Sequence, residues 1–309
     1  MPPEVLYCSA AVACSNQIYV LGGVCKLDTT CPDKVYGIHS HNSVFYFDGN
    51  NPEKGWSDVP PMQLGRAFHS AVTLGSKIYV FGGSSTSPEY LDINDLKSSW
   101  KLLPEPPLED MSYPVVDSAN HRILVHFKSN DSLYALNVDD NNWCLLKDDF
   151  GGWPDSESSV IVDNVLYSLS PYGAPGFFFF PQSDQISFFL RAHGLGGNET
   201  SSLVAYDLAE NKRLPTRWLS RFQGYAPSTA YLVHTGGSNL CVVWHSVASN
   251  TLEYIKFCVT RDSSGEVHAR DSESETQVSE SETWLPIEAK KLQIDDSVID
   301  ANVCQISLL

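Results

Sequence analysis

The sequence predicts an all-β protein, a propeller of four-stranded antiparallel blades. Two stretches read alike: Gln17-Ile-Tyr-Val-Leu-Gly-Gly23 and Lys77-Ile-Tyr-Val-Phe-Gly-Gly83, each an apolar strand stopped by a glycine pair. Each is followed by an aromatic-acidic strand and a tryptophan: Phe45-Tyr-Phe-Asp48 with Trp56, then Tyr90-Leu-Asp-Ile93 with Trp100. Tryptophans then mark the period. Trp56 to Trp100 is 44 residues and Trp100 to Trp143 is 43, the length of one blade. The 75 residues to Trp218 and the 66 onward to Trp284 require insertions.

The first blade is expected at 9–13, 17–21, 44–48 and 56–59, and the second at 68–74, 77–81, 90–93 and 100–103. The third falls at 113–117, 122–127, 132–138 and 143–146. The fourth takes 158–162, 165–169, 202–208 and Trp218. The fifth takes 229–234, 240–244, 252–260 and 283–287. Each run is short, β-rich and bounded by turn residues. Pro60-Pro61, Pro104, Pro106-Pro107 and Pro154 follow outer strands, where a missing ladder donor does no harm. A sixth blade would need part of the insertion at 170–200. Residues 297–308 read as a closing strand beside the first blade, since an open seam leaves an unpaired edge. No window shows a helical period. The whole chain, 1–309, is read as one propeller domain.

Composition narrows the function classes. Hydrophobic content of 42% against 18% charge is that of a globular chain. A net charge of −17 excludes a phosphate-binding surface, so neither nucleic acid nor an anionic membrane is expected as a partner. Residues 261–283 carry seven acids and two arginines and read as a solvated loop, with an acidic binding tail as the alternative. No apolar run reaches the roughly 20 residues that span a bilayer. The first residues, Met1-Pro-Pro-Glu4, lack a secretion signal, and eight scattered cysteines read as reduced thiols. The expected location is cytoplasmic, with the nucleus as the alternative.

The two glycine-pair strands, together with Pro60-Pro-Met-Gln-Leu-Gly-Arg-Ala-Phe-His-Ser-Ala-Val72, resemble the kelch repeat. The third to fifth blades lack the pair and read Leu124-Val-His-Phe127, Leu166-Tyr-Ser-Leu169 and Val242-Val-Trp-His245. The C-terminal layout, from His234-Thr-Gly-Gly237 to Trp284, resembles plant F-box/kelch proteins. That resemblance implies a kelch-type propeller of five or six blades that recruits protein targets, linked to ubiquitin ligases through an F-box that binds a Skp1-type adaptor. Residues 1–6 are too few for an F-box, so direct adaptor binding is not expected.

No chemistry-bearing motif emerges. Cys25, Cys31, His39 and His41 share the long loop 24–43, but Cys-x5-Cys and His-x-His are not zinc spacings. Asp117-Ser-Ala-Asn-His121 reads as a hairpin turn. Phe177-Phe-Phe-Phe180 reads as a strand buried between blades, or else as a partner patch. No catalytic residue, metal or cofactor is assigned. The leading reading is a non-enzymatic platform for a protein partner; the rival is an enzyme or small-ligand propeller that uses the channel mouth. Loops on a rigid scaffold carry recognition, so the candidate binding residues are Tyr36, His39, His41 and Arg66, with Arg191 and His193 from the insertion. Arginines near loops suggest an acidic target motif. For Arg66 the structural alternative is a buried contact to a neighbouring blade's backbone.

Overall fold

The computed structural model describes residues 9–24, 40–83, 87–95, 99–150, 159–171, 201–217, 230–246, 251–271 and 290–293. They form five sheets arranged as a five-bladed β-propeller. Blade 1 is β1 (Ala10–Cys14), β2 (Gln17–Leu21), β3 (Val44–Asp48) and β4 (Trp56–Val59). Blade 2 is β5 (His69–Leu74), β6 (Lys77–Gly82), β7 (Glu89–Asp92) and β8 (Lys101–Leu102). Blade 3 is β9 (Val115–Asp117), β10 (Arg122–Phe127), β11 (Ser132–Asn137) and β12 (Asn142–Lys147). Blade 4 is β13 (Ser159–Val162), β14 (Val165–Pro171), β15 (Ser201–Asp207) and β16 (Lys212–Leu214). These four sheets are antiparallel meanders paired in chain order.

The fifth sheet departs from the expected pattern. After β17 (Thr216–Arg217) come β18 (Tyr231–Gly236), β19 (Asn239–Ser246), β20 (Thr251–Arg261), β21 (Val267–Asp271) and β22 (Lys290–Gln293). The long β20 has two partners on its outer side: β22 along Thr251–Tyr254 and β21 along Phe257–Arg261. β17 then pairs parallel to β21. The chain thus leaves blade 4 along β16 and continues through Pro215 onto the edge of blade 5. The Val267 amide donates to the Pro215 carbonyl at 2.9 Å, and Arg261 of blade 5 reaches Asp207 of blade 4 at 2.7 Å.

Two expectations are corrected here. The outer strand of blade 4 lies earlier than expected, at Lys212–Leu214, with Trp218 itself outside the described residues, and residues 261–271 are not a loop but a hairpin turn followed by β21. The pattern Lys212-Arg-Leu214 is too short and too charged to read as a strand, and its pairing is set by β15. The fifth blade's expected strand 283–287, the closing strand 297–308, the insertion 172–200 and Phe177–Phe180 lie outside the described residues.

The described cores sit between successive blades, not within them, where facing sheets cover each other. Val12, Tyr19 and Leu21 of blade 1 pack on Ala71, Ile78 and Val80 of blade 2. Phe81 of blade 2 packs on Val125 and Phe127 of blade 3, and equivalent clusters join blades 3 to 4 and 4 to 5. The repeat recurs in its bonds. Tyr19 stacks on Tyr46 at 5.9 Å and Tyr79 on Tyr90 at 5.7 Å. The Trp100 indole donates to the Pro60 carbonyl at 2.8 Å, and the Trp143 indole to the Pro104 carbonyl at 3.0 Å. Each tryptophan thus ties its blade to the proline crossing that follows the previous blade.

The first strands β1, β5, β9, β13 and β18 touch in succession, which places them innermost. Antiparallel alternation then sorts the connections into two ends. The β1–β2, β5–β6, β9–β10 and β13–β14 turns emerge at one, the short-turn end. The β2–β3 loop, the β6–β7 loop and the blade-to-blade crossings emerge at the other, the loop end.

Candidate functional site

The crossing from blade 1 to blade 2, residues 60–68, is threaded between both glycine pairs. A Cβ placed on Gly22, at φ +57°, would stand 2.5 Å from the Arg66 carbonyl oxygen. One on Gly83, at φ +80°, would stand 2.5 Å from the Ala67 carbonyl oxygen. Only glycine allows both the backbone angle and this approach. The Gly23 amide donates to the Arg66 carbonyl at 2.7 Å, and the Arg66 amide to the His41 carbonyl at 3.0 Å. The base of the loop 24–43 is held in turn, with His41 donating to the Gly23 carbonyl at 2.8 Å and Val24 bridged to Ser40.

A buried ion pair fixes this crossing. Arg66 Nε donates to Glu89 Oε1 at 3.1 Å, and both side chains are fully buried. The guanidinium also donates to the carbonyls of Gly82, at 3.0 Å, and Ser87. Glu89 Oε2 accepts the Gln63 amide at 2.8 Å. Burial lowers the Arg66 pKa, and Glu89 opposes that shift. His69 follows, with 8% of its surface exposed and neither ring nitrogen hydrogen-bonded among the described residues. Burial, and then the Arg66 charge, push its pKa down to about 3, so the ring is neutral.

Between buried Ala67 and buried His69 stands Phe68, 73% exposed. Its φ is +56°, a left-handed angle that is an outlier for a bulky side chain. Strain of this kind costs of order 1–3 kcal/mol and persists only where the surroundings over-determine it. The Arg66–Glu89 pair and the glycine clamps supply that constraint.

The structure brings His41 and Arg66 together at the loop end. His41 is half-buried. Arg66 does not face solvent, so the expectation that its guanidinium contacts a partner is corrected: it bonds blade 2's backbone and Glu89, the structural alternative. Tyr36, His39, Arg191 and His193 lie outside the described residues. Sequence reasoning missed two residues here. Glu89 had a readable signal, because it shares the inward phase of β7 with Leu91, where a charge demands a partner. Phe68 had none, since strand alternation gave it an ordinary place at the start of β5.

Elsewhere Asp117 accepts from Arg122 at 2.7 Å and Asn120 at 2.9 Å, within the turn expected there. At the short-turn end Asp262, Glu266 and His268 bring one ligand atom each within 4.8 Å of one another. Their polar atoms bond mutually: His268 Nε2 lies 2.8 Å from Asp262 Oδ2, and Oδ1 accepts the Glu266 amide at 3.0 Å. The Ser264 hydroxyl and then His268 hold the Asp262 carboxyl below its usual range. These contacts complete a hairpin turn without calling on an ion.

No protein-family model matches the chain. Over 139 residues, 43% of its length, it is 30% identical to an F-box/kelch-repeat protein of Arabidopsis thaliana, covering 46% of that protein. It is 38% identical over 85 residues to beta-scruin of Limulus polyphemus, covering 28% of the chain and 9% of the relative. It is 32% identical over 100 residues to Kelch repeat and BTB domain-containing protein 12 of Homo sapiens, covering 31% of the chain and 14% of that protein. The chain spans 37–46% of the length of four Arabidopsis relatives. These relatives and the five-bladed fold agree on the class: a β-propeller with kelch-type repeats.

Proposed function

We propose that this propeller is a protein-interaction platform, that it reads its partner at the loop end, and that Phe68 is an anchor of that contact. The observation that carries the reading is an exposed aromatic held at a left-handed backbone angle by a buried ion pair. Rigid aromatics lose little entropy on binding and dominate interface energies. A non-enzymatic role is favoured by the fate of the convergent polar groups. Arg66 and Glu89 meet at this end, but they are buried and bonded to each other and to backbone, which leaves them no reach to a substrate.

The F-box/kelch relatives, with the resemblance noted from the sequence, extend the proposal to target recognition for a ubiquitin ligase. Free thiols at Cys14, Cys144, Cys241 and Cys258 support a reducing compartment, cytoplasmic or nuclear. Proximity labelling with wild type, a Phe68→Asn variant and an Asp140→Lys variant at the short-turn end tests the platform reading. Neighbours lost with Phe68→Asn and kept with Asp140→Lys are expected. Neighbours indifferent to Phe68 but lost with Asp140→Lys would move recognition to the other end. Ubiquitylation of a recovered neighbour that does not depend on the propeller would remove the ligase link alone.

A further inference from the structure

We infer that the loop end selects a basic partner: an extended protein segment bearing arginine or lysine, with an apolar or cationic side chain on Phe68. The inference rests on the platform reading above and reverses the sign of charge that the sequence suggested. That suggestion depended on arginines as anchors, and Arg66 is sealed inside the crossing.

Among the described residues, the blade-to-blade crossings at the loop end carry more acid than base. The crossing into blade 3, residues 103–114, carries Glu105, Glu109 and Asp110 and no lysine or arginine. The start of the crossing into blade 4 carries Asp148 and Asp149 after half-buried Lys147, and the β10–β11 turn at the same end carries exposed Lys128 and half-buried Asp131. Glu105, Glu109, Asp148 and Asp149 are exposed, and Asp110 is half-buried. These crossings share the loop end with Phe68 on successive blades, since β5, which Phe68 leads into, touches β9, and β9 touches β13. A direct chain of contacts links the first of them: Ser87 accepts from Arg66 through its carbonyl and donates its hydroxyl to Glu105. The crossing is also fixed in place, with Leu103 donating to the Pro88 carbonyl at 2.8 Å and Ser112 to the His126 carbonyl at 2.8 Å.

An exposed acidic rim of this kind steers a cationic segment inward and repels an anionic one. The aromatic face adds its own preference, because the ring quadrupole attracts a guanidinium or ammonium. The surrounding charge of −17 acts in the same direction at longer range. Acidic rim, aromatic anchor and overall field therefore agree on one partner chemistry.

The test uses the full chain and two fluorescein-labelled peptides: one alternating Arg and Ser around a central Leu, the other with every Arg replaced by Glu. Fluorescence polarisation is read for wild type, for Phe68→Asn, for Glu109→Lys with Asp149→Lys, and for Asp139→Lys with Asp140→Lys at the short-turn end. Wild type should bind the arginine peptide, more weakly as salt rises. Phe68→Asn and the loop-end reversal should each weaken it about tenfold, a loss of ~1.4 kcal/mol, while the short-turn reversal leaves it unchanged. No binding of the arginine peptide, or equal losses from reversals at both ends, overturns the proposal. Preference for the glutamate peptide that still depends on Phe68 overturns the charge assignment and leaves the platform standing. Binding sensitive only to the short-turn variant overturns both.

Discussion

The two ends of the propeller solve the same backbone problem differently. Both turn strands back on themselves, and both use left-handed residues to do it. At the short-turn end these include Ser15, Gly55, Gly75, His121, Asn141, Asp163, Asn164, Asn211, Gly237 and Gly265, small or polar residues for the most part. Asp163-Asn164, both left-handed, is a hairpin turn whose twist matches the strands it joins. At the loop end the glycine pairs and Asp131 do likewise, but Phe68 is left-handed with no such aptitude. One end is closed by local turn chemistry. The other holds a strained aromatic outward by a buried charge pair from a different strand. Strain imposed by tertiary structure on an exposed residue is what the proposed anchor role of Phe68 calls for.

The largest effect should come from removing that tertiary support. Arg66→Ala leaves the Glu89 carboxylate buried without its cation, at a cost of about 3–5 kcal/mol. Replacing both, with Arg66→Met and Glu89→Leu, should recover only part of that loss, because the Gln63 amide and the Gly82 carbonyl lose their partners, while Phe68 loses its fixed position. His121→Ala removes an imidazole at the short-turn end that stands 3.7 Å from Asp139, the two side chains being 69% and 71% exposed, and should leave stability unchanged. Chemical denaturation midpoints decide between these outcomes. Equal losses at both ends would dissolve the contrast.

The glycine pair sharpens the comparison within a single turn. Gly82 and Gly83 are both left-handed, at φ +70° and +80°. A Cβ on Gly82 meets nothing within 4 Å, whereas one on Gly83 meets the Ala67 carbonyl. Gly82→Ala should cost about 1 kcal/mol of strain alone, and Gly83→Ala about 3 kcal/mol, because the crossing must move as well. Matching losses at the two positions would show that the crossing is not clamped there.

Acid separates the ends through His69. Its folded pKa is about 3, against an ordinary value of 6.5. Between those values the unfolded chain binds a proton that the folded chain refuses, so stability falls as the pH drops from 6.5 towards 3. The loss approaches ~3 kcal/mol near about pH 4. Carboxylates held low in the fold add losses in the same direction, among them Asp207, which its amide and Arg261 hydrogen bonds keep below its ordinary pKa despite burial. The informative quantity is therefore the difference between wild type and His69→Asn. That difference should shrink on acidification, and a constant difference would refute the neutral buried ring.

Local sequence carried most of the fold and little of the site, for a physical reason. β2, β3, β4 and β10 fall at their expected bounds because each is a regular apolar run between turn residues, and the tryptophan period reports a contact that repeats between blades. Lys212–Leu214 and Val267–Asp271 do not show in the sequence because short strands interrupted by charges take their pairing from neighbours and not from their own pattern. The site fails to show for the same reason at smaller scale. Arg66 and Glu89 are 23 residues apart and become a pair only once two blades are stacked. Phe68 is unremarkable as a letter and becomes informative only through its angle and its exposure.

The smallest effect has the opposite sign, and it distinguishes function from accident most directly. Phe68→Asn replaces a bulky residue at φ +56° with one that tolerates the left-handed region. Little packing is lost, because 73% of the side chain already faces solvent. The variant should therefore be more stable than wild type, by up to about 1 kcal/mol, while partner binding falls. Phe68→Ala makes the control: it removes the ring but keeps an L side chain without Asn's local hydrogen bonding, so binding falls with little gain in stability. If Phe68→Asn is no more stable than Phe68→Ala, the angle carries no strain and the loop end loses its claim to be the working face. If it is more stable and still binds fully, the strain is real but the ring is not the anchor, and the contact must be sought on the acidic crossings beside it.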